Sequence, residues 1–104
     1  MRQSTVKLND GTELIIKNSN RIKLLFEEYR YKDLSEMNGK TTDSLWWLYC
    51  TLKGCNRDTF LIEFDDFIDL LDENPQIWTV FNQFWIDENK AVKAEPDTKK
   101  KVKV

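Results

Sequence analysis

The sequence predicts an α+β fold, in which an N-terminal β-hairpin packs on a small bundle of three to four helices and a disordered basic tail follows. Two features carry that expectation. Apolar residues alternate around Asn9-Asp10-Gly11 near the start, and apolar stripes at helical spacing recur from Asn18 to Asn89. A third feature, the change of composition after Lys90, bounds the folded part. The expected organisation is one domain over residues 1–90 and a tail over 91–104, with a hairpin at 5–17 and helices near 20–32, 43–53, 63–73 and 75–88.

In the hairpin, a three-residue loop with Gly11 in the left-handed position pairs Val6 with Leu14 and Leu8 with Thr12. That register puts Val6, Leu8, Leu14 and Ile16 on one face, whereas a two-residue loop would set Leu8 opposite Glu13 and mix the faces. A lone hairpin is marginal in water, so this one needs an apolar surface beneath it.

Asn18-Ser19-Asn20 supplies N-cap residues for a helix whose stripe is Ile22, Leu25, Phe26 and Tyr29. Thr41-Thr42-Asp43 offers the next N-cap, and Gly54 is placed as the C-cap of the helix that follows. That helix carries Leu45, Leu48, Tyr49 and Leu52 as its main stripe. Trp46, Trp47 and Cys50 spread apolar surface around the rest of it, which makes it central in the fold or covered by a partner. Thr59 to Ile62 reads as strand or loop. Phe64, Phe67, Ile68 and Leu71 resume helical spacing, and Asn74-Pro75 caps and starts a last helix bearing Ile77, Trp78, Val80, Phe81, Phe84 and Trp85. From Ala91 to Val104 there are no aromatics and five lysines, too little apolar area to offset chain ordering.

Composition narrows the function. The 104 residues contain no histidine, which removes Ser-His-Asp and Cys-His catalysis, a histidine base and any histidine-containing zinc site. Sixteen basic and 18 acidic side chains give a net charge of −2, which offers no reason to expect nucleic-acid binding. That total divides into a body of net −5 over residues 1–90 and a tail of net +3. The longest apolar run, Leu45 to Cys50, is six residues against the ~20 a membrane span needs, and no apolar signal core follows Met1. The expectation is therefore a cytoplasmic, soluble protein that is not an enzyme, with no cofactor, no metal and no membrane partner.

Asp65, Asp66, Asp69, Asp72 and Glu73 gather on the side of their helix opposite the apolar stripe. Without the spacing or central glycine of a calcium loop, they read as a solvated helix face rather than a metal site. Cys50 and Cys55, spaced C-x4-C at the wrong end of a helix for thiolate formation, read as one packed and one loop thiol. The candidate protein-binding residues are aromatic or apolar. Leu24 and Tyr31 lie off the stripe of their helix, and Trp47 points roughly opposite Leu45 and Leu48. With Trp46, Trp78 and Trp85 these make six candidate contacts, each weighed against packing within the domain.

Across residues 5–86 the order of features resembles the small tail assembly chaperones of long-tailed phages and prophages. The resemblance runs through the strand-turn-strand Val6–Leu14, the helix Ile22–Tyr29 with Phe26-Glu27-Glu28-Tyr29 at its centre, and Leu48-Tyr49-Cys50-Thr51-Leu52-Lys53. It ends with Phe64-Asp65-Asp66-Phe67-Ile68-Asp69-Leu70-Leu71 leading into Asp72-Glu73-Asn74-Pro75. Trp46-Trp47 and the aromatic last helix depart from it. The resemblance implies a non-enzymatic role in the bacterial host cytoplasm, holding the long helical tape measure protein soluble while the tail tube polymerises. A structural virion component or another small interaction module is the alternative, and self-association is left open. In that family a longer frameshifted product often occurs, and Lys99-Lys100-Lys101 is compatible with an adenine-rich slippery stretch.

Overall fold

In the computed structural model of the chain, which describes residues 3–37 and 40–94, strand β1 (Gln3–Lys7) pairs antiparallel with β2 (Glu13–Lys17). The register sets Val6 opposite Leu14 and Lys7 opposite Glu13, as the alternation requires. Gly11 takes a φ of 95°, the left-handed region that a side chain disfavours, and the Leu8 N–H closes the loop on the Thr12 carbonyl at 2.7 Å. Val6, Leu8, Leu14 and Ile16 are all buried. Each stabilises the fold by roughly 1.5–3 kcal/mol relative to an exposed position, which is what holds a two-stranded sheet that would be marginal alone.

Four helices carry this hairpin in an α+β arrangement: α1 (Asn20–Arg30), α2 (Thr41–Cys55), α3 (Phe64–Glu73) and α4 (Gln76–Ala94). Helix α2 is central, packing on α1 and on β2, while α4 lies against β1. The stripes face inward as expected, with Ile22 and Phe26, then Leu48, Tyr49 and Leu52, then Phe67 and Leu71, then Ile77, Phe81 and Phe84 buried. Cys50 and Thr51 are fully buried as well, so α2 is enclosed around most of its circumference.

Helix ends depart from expectation in instructive ways. Ser19 does cap α1, its Oγ accepting the Arg21 N–H at 3.2 Å. The helix stops at Arg30, before the expected residue 32, because Tyr31 turns left-handed (φ 58°) and donates its N–H to the Glu27 carbonyl at 2.8 Å. Helix α2 starts at Thr41, and Thr41-Thr42-Asp43 forms its first turn rather than its cap. The cap is Lys40, with no side-chain cap hydrogen bond. Gly54 is not the C-cap either: α2 runs through it to Cys55, and Asn56 ends the helix. The amide of Asn56 explains this, since its Nδ2 donates to the Leu52 carbonyl at 2.9 Å and to Ile15 O at 2.9 Å, while its Oδ1 accepts the Ile15 N–H at 2.8 Å. One side chain thus closes the helix and satisfies an outward-facing backbone pair of β2.

Asn74 plays the same part at the end of α3. Its Nδ2 donates to the Leu70 carbonyl at 2.9 Å and its Oδ1 accepts the Asn9 N–H at 2.7 Å, anchoring the hairpin turn. Asn74 and Pro75 also start α4 through their carbonyls, which accept from Ile77 and Trp78. Thr59 to Ile62 forms a turn and extended loop with no strand partner. Helix α4 reaches Ala94, so residues 91–94, expected in the tail, are helical; Ala91, Lys93 and Ala94 are strong helix formers that prolong it. Residues 95–104 of the expected tail lie outside the described residues. Among the described residues no helix is long and apolar enough to cross a membrane.

Candidate functional site

The six candidate contact residues do not form one surface. Leu24 is 62% exposed on α1 and Tyr31 is 91% exposed just past its end. The tryptophans are half-buried and packed against the core. Trp46 stacks on Phe64 with ring centroids 3.8 Å apart and planes within 4° of parallel, joining α2 to α3. Trp47 lies elsewhere, 5.0 Å from Phe81 and 5.3 Å from Trp85, joining α2 to α4. Trp78 leans on Phe81 at 6.1 Å. These rings are engaged within the domain, which leaves Leu24 and Tyr31 as the openly presented members of the set.

A buried charge cluster that the spacing did not announce sits where α1 ends and α2 begins. Asp43, in the first turn of α2, is 2% exposed and takes Lys32 Nζ at 2.6 Å and an Arg30 guanidinium nitrogen at 3.3 Å. The Arg30 guanidinium also lies 5.8 Å from the Trp46 ring centroid. The left-handed turn at Tyr31 is what brings Lys32 back to the carboxylate. This cluster locks the two helices and offers no free charge.

At the opposite end of the same helix pair lies a groove. Arg21 and Leu25 of α1, Lys53 of α2, and Arg57, Phe60 and Leu61 of the connection to α3 line a cavity of about 210 Å³. Its floor is Phe60, 3% exposed, and its lip is Leu61, 67% exposed. Gly54 faces α1 beside it: a Cβ there would stand 3.5 Å from Leu25 Cδ1 and 3.6 Å from Arg21 Cβ, so the two helices approach closely. Lys53 Nζ stands 5.6 Å from the Tyr49 ring centroid. None of Arg21, Lys53 and Arg57 makes an ion pair among the described residues. A single sequence could have hinted at this site only through the i, i+4 spacings Arg21–Leu25 and Lys53–Arg57 in an otherwise acidic body.

The other chemistry-bearing groups are tied down or solvated. Burial pushes the Cys50 thiol up to about 12, and burial likewise raises Cys55, whose Sγ lies 3.3 Å from the Lys17 carbonyl as a donor to it. Both cysteines are free, and Cys55 is the half-buried last residue of α2 rather than a loop thiol. Neither is primed as a thiolate. Asp65, Asp66, Asp69, Asp72 and Glu73 are all exposed on α3. Among the described residues no three acidic or cysteine side chains are placed to hold a metal ion. A second, larger depression of about 470 Å³ is lined by Lys23, Glu27, Asp33 and Ser35, with no apolar residue among them. The geometry therefore lends itself to binding through the groove at the α1 start. Compared with models of protein families, with curated proteins and with solved structures, the chain gives no match.

Proposed function

We propose that this domain is a non-enzymatic, phage-type tail assembly chaperone that binds and solubilises the tape measure protein in the bacterial host cytoplasm. The observation that supports it is the open apolar groove whose lip is Leu61, with Leu24 exposed on α1. A cavity of about 210 Å³ is smaller than the ~300–1,000 Å³ that envelops a small molecule, and suits one or two apolar side chains of a protein segment. Transient, side-chain-sized holds of this kind fit a protein that must release its client when the tube closes around it.

Co-expression with a tape measure protein tests the reading. The expected result is a larger soluble fraction of that protein, reduced by Leu24→Asp with Leu61→Asp, two exposed positions where substitution should leave the fold intact. No gain in solubility, with both proteins folded, would overturn the proposal.

A further inference from the structure

We infer that the groove between α1 and the α2–α3 connection is a receptor for acidic amphipathic segments, holding an apolar anchor on Phe60 and Leu61 while Arg21, Lys53 and Arg57 pair with flanking carboxylates. This rests on the protein-binding reading above and adds the chemistry of the partner. Two independent observations meet here. The cavity is lined by three apolar side chains and three cations, and no acidic residue lines it. Those three cations are unpaired among the described residues, although the body carries 11 basic and 16 acidic side chains. In a chain with a surplus of acids, three cations that make no ion pair among the described residues give the apolar floor a basic lining.

The remaining surface sharpens the selection. Helix α3 presents Asp65, Asp66, Asp69, Asp72 and Glu73 to solvent, so an acidic segment is repelled there and attracted to the cations of the groove. The long stems of Arg21, Lys53 and Arg57 extend the apolar floor beneath their charges, which favours a partner that is apolar and acidic together.

The test uses the full chain and three synthetic helical peptides sharing Leu anchors at i and i+4, flanked by Glu, by Gln or by Lys. By fluorescence anisotropy the Glu peptide should bind about tenfold more tightly than the Gln peptide, as three half-exposed ion pairs allow, and the Lys peptide more weakly than either. Arg57→Glu with Arg21→Glu should abolish the preference for Glu over Gln, and so should high salt, while Leu61→Asp should weaken both peptides alike. Equal binding of the Glu and Gln peptides would overturn the charge inference and leave the groove reading standing. Binding to none of the three would overturn the groove as receptor, and the co-expression result then decides the chaperone reading by itself. Tighter, Arg57-dependent binding of a single-stranded oligonucleotide, or a concentration-dependent dimer lost in Arg57→Glu, would overturn the inference in favour of nucleic acid or of a second copy.

Discussion

Helices α1 and α2 run side by side, and their two ends treat positive charge in opposite ways. Where α1 finishes, Arg30 and Lys32 are both committed to one buried carboxylate, Asp43. Where α1 begins, Arg21, Lys53 and Arg57 ring an apolar cavity with no acidic partner among the described residues. At the first end the charges hold the helices in register. At the second, two helices brought close by Gly54 leave a groove whose charges remain available. Five of the seven cations on this helix pair and its flanking loops thus divide into a lock and a surface, and the division lies in whether a carboxylate is buried beside them.

The most severe way to break the lock is Asp43→Ala. Two half-buried cations would lose their common partner, and the expected loss is about 2–4 kcal/mol of stability, measured by urea unfolding. Replacement of the acid leaves the groove chemically untouched, so any Asp43→Ala protein that remains folded should keep its peptide preference. A loss below ~0.5 kcal/mol would mean that the pair holds nothing.

Midway along the helix pair, Cys50 and Tyr49 report on burial. Burial lifts the Cys50 thiol from its ordinary 9.0 to about 12, and the Tyr49 hydroxyl from 10.0 to about 12, with the Tyr49 O–H donating to the Ile62 carbonyl at 2.7 Å. In the unfolded chain both groups ionise first, so between about pH 9 and pH 12 the native state binds more protons than the unfolded state. Stability is therefore full below pH 9 and falls as pH rises through that window. Unfolding midpoints measured from pH 7 to 11 should decline, and Cys50→Ser or Cys50→Ala should flatten part of the decline. In the native protein Cys50 should resist iodoacetamide at pH 8.

How much of this was legible in the sequence follows from how local each signal is. The hairpin register was, because the Asn9-Asp10-Gly11 turn and the alternation of Val6, Leu8, Leu14 and Ile16 lie within one short stretch. The inward faces of the helices were, because each stripe is written in its own helix. The lock was not: it depends on Tyr31 adopting a left-handed turn that no glycine or asparagine announces. The groove was not either, because it collects residues from two helices and a loop, and none is conspicuous alone. Gly54 misled for a related reason. Glycine after an apolar run signals a cap when nothing competes, but here the Asn56 amide pairs with Leu52 and Ile15 together and carries the helix two residues further.

That correction has a measurable counterpart at the open end. Gly54 has no positive φ, and a Cβ there would meet Leu25 and Arg21 at ordinary van der Waals distances. Gly54→Ala should therefore raise stability by about 0.5–1 kcal/mol through helix propensity. A true left-handed cap would lose stability instead, so the sign of the change separates the two assignments.

The smallest expected effect is the most informative about the division between lock and surface. Arg57 and Arg21 are exposed, and neither makes an ion pair among the described residues. Arg57→Glu and Arg21→Glu should each leave stability within about 0.5 kcal/mol of the parent, in contrast to Asp43→Ala. Arg21 sits in the first turn of α1, where an acid is favoured by the helix dipole, so its substitution should be neutral or slightly stabilising. Should either change cost as much as the loss of Asp43, the groove cations would be structural after all, and the rim would have no charge to spare for a partner. Near-neutral stability together with a lost preference for the Glu peptide would instead assign these charges to recognition, since a residue that holds the fold together cannot be removed without the fold registering it.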